Sequence, residues 1–197
     1  KTYPDWETSR IIHTGDDYLE FELVYPAFCA AGRMTCHVTL KRGERFFRND
    51  VSFEKPVSKD FVAGPGIDLE PKRDHHGSLV EAEGLISLFE DPKGENGSTM
   101  SAVLVAPGEK VEMLTDAQNC RVLGFRTQKF TYWAGASWSL AGEIVTPKAW
   151  HRYVRDFITK TRKETKRTTW DTSFKKKKRI SRRETQKLLL KWQKVCK

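Results

Sequence analysis

A chain of 197 residues, 38% hydrophobic and 31% charged, is long enough to bury a sizeable core and too apolar for a disordered polymer. No segment approaches the roughly 20 apolar residues of a bilayer-crossing helix, so no membrane span is expected. The formal net charge of +9 is unevenly placed: residues 161–197 hold 15 Lys or Arg against 3 Asp or Glu, and residues 1–160 hold 20 against 23. The basicity belongs to the C-terminal segment, and the mildly acidic body has no general attraction for polyanions.

From the N-terminus, the pattern is one of short strands. Tyr18–Tyr25 alternates between apolar and polar residues, with Pro26 near its end, and Met34–Leu40 alternates again. KRGER at 41–45 predicts a turn into RFFRNDVSF. Strand candidates follow at 61–69, 78–89, 100–107, 111–116, 120–127 and 129–138, separated by glycine-rich or charged turns such as DPKGENGS at 91–98. Many short strands with frequent turns predict an antiparallel β-sandwich or barrel rather than alternating β/α units.

A helix over 147–160 closes the body. Thr146 suits the N-cap, Pro147 the first helical position, and Trp150, Tyr153, Val154, Phe157 and Ile158 repeat at helical spacing. After Lys160 the apolar period disappears, predicting a flexible basic tail from 161 onward. Within it, Ser181 to Glu184 form a capping box ahead of an amphipathic stretch, predicting a short helix over 182–195. KKKKRISRR predicts weak, salt-sensitive contact with polyanions, without a nucleic-acid reading module beside it.

Motif chemistry is sparse. The sequence holds no nucleophile elbow, Walker loop, HExxH or dinucleotide fingerprint, and no cofactor is expected. Cys29, Cys36, Cys120 and Cys196 lack CxxC spacing and paired histidines, which argues against a metal site. Cys29 and Cys36 suit either a hairpin disulfide or two buried thiols. The sequon Asn96-Gly97-Ser98 lies in a loop pattern.

DLEPKRDHHGSLVEAE (68–83) is the strongest chemical candidate, against the alternative of a polar surface loop. A histidine beside a carboxylate can move protons near neutral pH, which makes His75 and His76, with Asp74 or Glu83, the candidate acid/base residues. His13 and His37 fall within strand patterns, and His151 borders the apolar face of the helix as a partner for a backbone carbonyl. The segment KFTYWAGASW supplies Tyr132, Trp133 and Trp138 as core residues or as stacking surfaces for a sugar ring. Strand alternation puts Tyr132 and Trp133 on opposite faces.

The stretches FVAGPGIDL, LVEAEGLISLFEDP, MSAVLVAP and, above all, FTYWAGASWSLAGEIVTPKAWHRYVRDF resemble the C-terminal half of a bacterial family, domain of unknown function 4861. The resemblance covers roughly residues 1–158. It implies an exported, periplasmic or secreted protein of polysaccharide-degrading bacteria. It also implies a sandwich similar to galactose mutarotases and polysaccharide lyases, of which this shorter chain would carry part. The partner implied is an oligosaccharide or polysaccharide, met by a lyase, hydrolase or epimerase type of enzyme or by a non-catalytic binding module. The resemblance transfers no catalytic residue, and the basic tail has no counterpart in it.

Overall fold

The computed structural model describes residues 4–69, 77–106, 108–116 and 119–177, of which 165–177 are described as backbone alone. The chain forms two compact units, residues 1–158 and 159–197.

The first unit is an all-β, antiparallel, sandwich-like body closed by a helix. Its strands are β1 (Thr8–Thr14), β2 (Tyr18–Cys29), β3 (Gly32–Lys41), β4 (Phe46–Phe53), β5 (Gly66–Asp68), β6 (Gly77–Ala82), β7 (Leu85–Glu90), β8 (Thr99–Val105), β9 (Glu112–Thr115), β10 (Cys120–Gly124) and β11 (Lys129–Trp138). Eight of them form one open sheet in the order β1-β2-β3-β4-β11-β8-β7-β6, and β5-β10-β9 form a second, smaller sheet. The helix α1 begins at Pro147.

Alternation along the central strands sorts side chains to two cores. Phe46, Leu85, Phe89, Met100, Ala102 and Leu104 pack with Trp150, Val154 and Phe157 of the helix. Ile86, Leu88 and Val103 pack on the opposite side with Ile67, Leu69 and Leu123 of the small sheet. Being covered on both faces, β7 reads LISLFE, apolar on both sides up to Glu90 except at Ser87, where a one-sided strand would alternate. A third cluster joins Cys36, Val38, Val51 and Phe53 to Phe125 and Phe130, which stack at 4.3 Å between ring centroids.

The helix is docked by aromatics. Phe46 stacks on Phe157 at 4.4 Å and lies 6.1 Å from both Trp150 and Tyr153. The Arg45 amide donates to the Tyr153 hydroxyl at 3.1 Å, and the Arg45 guanidinium pairs with Glu143. Thr146 caps the helix as its sequence predicts, its Oγ1 accepting from the Ala149 amide at 3.2 Å.

Several elements differ from the sequence expectation. The helix runs to Lys177, not Lys160. Residues 161–177 contain neither proline nor glycine, so loss of the apolar period ends the packing face without breaking the backbone ladder. The helix expected over 182–195 lies outside the described residues. β2 continues through Pro26 to Cys29, because its pairing with β1 stops at Val24 and the missing proline N–H falls on an unpaired edge. The 61–69 stretch yields only Gly66–Asp68 as strand: a Cβ at Gly64 would sit 1.8 Å from the Leu123 carbonyl oxygen, so the chain there crosses close against β10. The 78–89 stretch is two strands around the turn residues Glu83 and Gly84, the latter at φ +73°. β1 is an edge strand that the alternation rule did not single out, since Ile11 and Ile12 are adjacent and both exposed.

Candidate functional site

Trp138 ends β11 opposite Thr99 of β8. The indole is 47% exposed, yet its Nε1–H donates to the Asn96 carbonyl at 2.6 Å, so the ring stands in solvent in a fixed orientation. The loop beneath is tightly clasped. The Ser98 amide donates to Ser139 Oγ at 2.7 Å, the Ser139 amide returns a bond to the Ser98 carbonyl, and Gly97 (φ +67°) leaves no room for a Cβ against Ser139 Oγ. Beside the ring, the Thr99 hydroxyl donates to Glu90, whose carboxylate also meets Lys93 Nζ at 3.3 Å. Leu140, exposed, extends the apolar surface. In the sequon, Ser98 is buried beneath this clasp.

Tyr132 and Trp133 separate to the two faces of the sheet as alternation predicts. Tyr132 packs beside Phe130 in the third core cluster. Trp133 is half-buried on the helix side, meets Phe157 edge-on at 6.5 Å and carries the Arg48 guanidinium 5.8 Å from its ring centroid. Of the three aromatics, Trp138 is the exposed one.

Glu83 lies in the β6–β7 turn and lines an open cleft of about 480 Å³ with Glu81, Ala82, Met113, Leu114, Thr115 and Arg121. Arg121 pairs with Glu81 at 3.0 Å and donates to Thr115 Oγ1 and Asn119 Oδ1, so its guanidinium is held from three sides. This cleft is on the small-sheet side, since Glu81 sits opposite Ile86, whereas Trp133 sits opposite Leu104 on the helix side. Trp133 and Glu83 therefore belong to different surfaces. Trp138 and Glu83 also lie apart. Trp138 pairs with Thr99 and Gly84 bonds Val105, at opposite ends of a strand whose six steps span roughly 20 Å.

Asp74, His75 and His76 lie outside the described residues. His13 stacks on Tyr18 at 4.1 Å. His37 faces Glu20, 4.0 Å from its carboxylate, and its Nε2 is buried without a hydrogen-bond partner among the described residues. His151 bonds the Ser78 backbone, as expected of it, and meets two side chains besides. Its ring is buried between two serine hydroxyls, with Nε2 3.0 Å from Ser78 Oγ and Nδ1 2.9 Å from Ser87 Oγ. Burial lowers its pKa, a hydrogen bond from the ring to the Ser78 backbone opposes that shift, and the nearby Arg155 adds to it. Ser78 and Ser87 interrupt two otherwise apolar strand faces, which marks the serines without linking them to His151.

Among the described residues, Cys29, Cys36 and Cys120 form no disulfide. Burial, with Asp50 nearby, pushes the Cys36 thiol up to about 11. Among the described residues no three His, Cys, Asp or Glu side chains converge as a metal site, and no helix is long and apolar enough to cross a membrane.

The family model described as Domain of unknown function (DUF4861) matches residues 3–166. No curated protein and no solved structure matches the chain.

Proposed function

For a chain that belongs to the DUF4861 family, we propose a carbohydrate-binding role in which Trp138 is the platform for an oligosaccharide or polysaccharide. The observation that carries this is the combination of exposure and fixation at Trp138. An aromatic ring already ordered by its own hydrogen bond loses little freedom when a pyranose stacks on it. Thr99, Glu90 and Lys93 stand beside it with a hydroxyl, a carboxylate and an ammonium, the groups that hydrogen-bond sugar hydroxyls.

On this proposal the sandwich is of the galactose mutarotase-like kind, and the protein works outside the cytoplasm on polysaccharide. A binding-only module satisfies the same observation. If the protein is a lyase, hydrolase or epimerase, His75, His76 and Asp74 are its proton-transfer candidates. The segment that carries them leads directly into β6 at Gly77, the Trp138 end of that strand. Glu83 would then serve a separate subsite with Arg121. Binding of polyanions through the basic C-terminal segment is the competing role.

Titration with a panel of neutral oligosaccharides, followed by indole fluorescence and calorimetry, tests the proposal. Trp138→Ala is expected to weaken the best ligand about tenfold, or about 1.4 kcal/mol. Unchanged affinity in that variant would remove Trp138 from the site. Salt-sensitive retention on heparin, with no response to any neutral glycan, would favour the polyanion role instead.

A further inference from the structure

Ser78, His151 and Ser87 form a constellation that glycan binding does not use. β6 and β7 pair with Ser78 opposite Phe89 and Val80 opposite Ser87, so both serines project from the helix-facing side of the sheet, two residue rows apart. His151, in the second turn of α1, enters between them and engages one hydroxyl with each ring nitrogen, at 3.0 and 2.9 Å. A neutral imidazole has one donor and one acceptor nitrogen, so two hydroxyls saturate it without any charge. The two serines are not equivalent. Ser87 is 1% exposed and enclosed by the core, whereas Ser78 is only half-buried and lies on β6, the outermost strand of the sheet.

A hydroxyl within hydrogen-bond reach of a histidine, itself oriented through its other nitrogen by a third group, is the arrangement that activates a serine. We infer that Ser78 is a nucleophile for acyl transfer from small carboxylic esters, with His151 as its base and Ser87 orienting the imidazole. In the first half-reaction Ser78 Oγ bonds to the ester carbonyl carbon while its proton passes to His151 Nε2. The carbon–oxygen bond to the alcohol then breaks, and Nε2 returns the proton to the departing alkoxide, leaving an acyl-serine. Water attacks that carbonyl in the second half. It gives one proton to Nε2, which passes it to Ser78 Oγ, and a carboxylic acid leaves.

In this role His151 Nδ1–H donates to Ser87 Oγ and leaves Nε2 as the base facing Ser78, one of the two tautomers that the paired hydroxyls allow. Burial keeps the ring neutral at neutral pH, the state a base requires. As an edge strand, β6 turns alternate backbone N–H groups away from β7, and these are donors for the oxyanion of the tetrahedral intermediate. Val80 and Phe89 are apolar neighbours of Ser78 on the same face.

A fluorophosphonate probe, which carries no sugar and so reports independently of glycan binding, tests this on the full chain. Intact mass and peptide mapping should show one adduct, on Ser78. Ser78→Ala should abolish it, and His151→Gln should slow labelling about 100-fold or more, the lower range of general-base contributions. Turnover of p-nitrophenyl acetate should fall in parallel. Because His151→Gln removes two contacts beneath the helix, the wild-type pH profile provides a second measurement. Labelling should rise with pH through one histidine ionisation below the ordinary value and then level off. Absence of a Ser78 adduct, an equal rate in a folded His151→Gln variant, or a rate that climbs with hydroxide without a plateau would each overturn the inference and leave the trio as a structural bridge.

Discussion

Gly135 sits in the middle of β11, and its missing side chain is a packing requirement that can be tested directly. A Cβ at this position would lie 2.5 Å from Phe46 Cδ1, 2.8 Å from Phe46 Cε1 and 2.7 Å from the Arg45 carbonyl oxygen. None of these atoms can retreat easily. Phe46 is 1% exposed and stacks against three helix aromatics, and Arg45 is tied through its amide to Tyr153 and through its guanidinium to Glu143. Gly135→Ala is therefore an overpacking substitution, expected to cost about 2–3 kcal/mol despite the better strand propensity of alanine. For a domain of this size that is a fall in Tm of roughly 4–12 °C. Thermal unfolding followed by near-UV circular dichroism reads it through the aromatic cluster itself. Adding Phe46→Leu should recover part of the loss, so that the double variant is more stable than the sum of the single changes predicts. A Gly135→Ala protein within about 0.5 kcal/mol of wild type would refute the reasoning, because it would mean the helix can shift at little cost.

Trp150 is fully buried, and among the described residues its Nε1–H has no hydrogen-bond partner. Trp150→Ala should cost about 3–5 kcal/mol and Trp150→Phe distinctly less, since phenylalanine refills part of the space and removes the orphan donor; chemical denaturation compares the two. His151 makes stability pH-dependent. Its folded pKa is depressed, so above the unfolded value near 6.5 both states are neutral. As pH falls below that value the unfolded chain takes up a proton that the folded chain refuses, and stability drops until the folded ring also titrates. His151→Gln should flatten that part of the stability–pH curve, and an unchanged slope would place the ionisation elsewhere. Cys36, buried and raised to about 11, should resist thiol reagents at pH 8 until the protein unfolds. Labelling of Cys36 faster than global unfolding would contradict its place in the core.

The sequence by itself determined the class of fold, because period-2 alternation and turn residues act within a few neighbours. It marked seven of the eleven strands closely, the N-terminal cap of α1 and the split of Tyr132 and Trp133 to opposite faces, all of which follow from local backbone geometry. It misjudged the end of α1, since a helix needs breakers to stop and not merely the end of its apolar stripe. What tertiary structure decided was grouping. Residue chemistry put Glu83 and Trp133 among the candidate site residues, yet the sheet lies between them. No local signal joined Ser78 and Ser87 to His151, 73 and 64 residues away. The exposure of Trp138 was equally illegible, because an indole at a strand end is buried or free according to what folds over it. Here the Gly94–Ser98 loop binds its edge and leaves the rest of the ring to solvent.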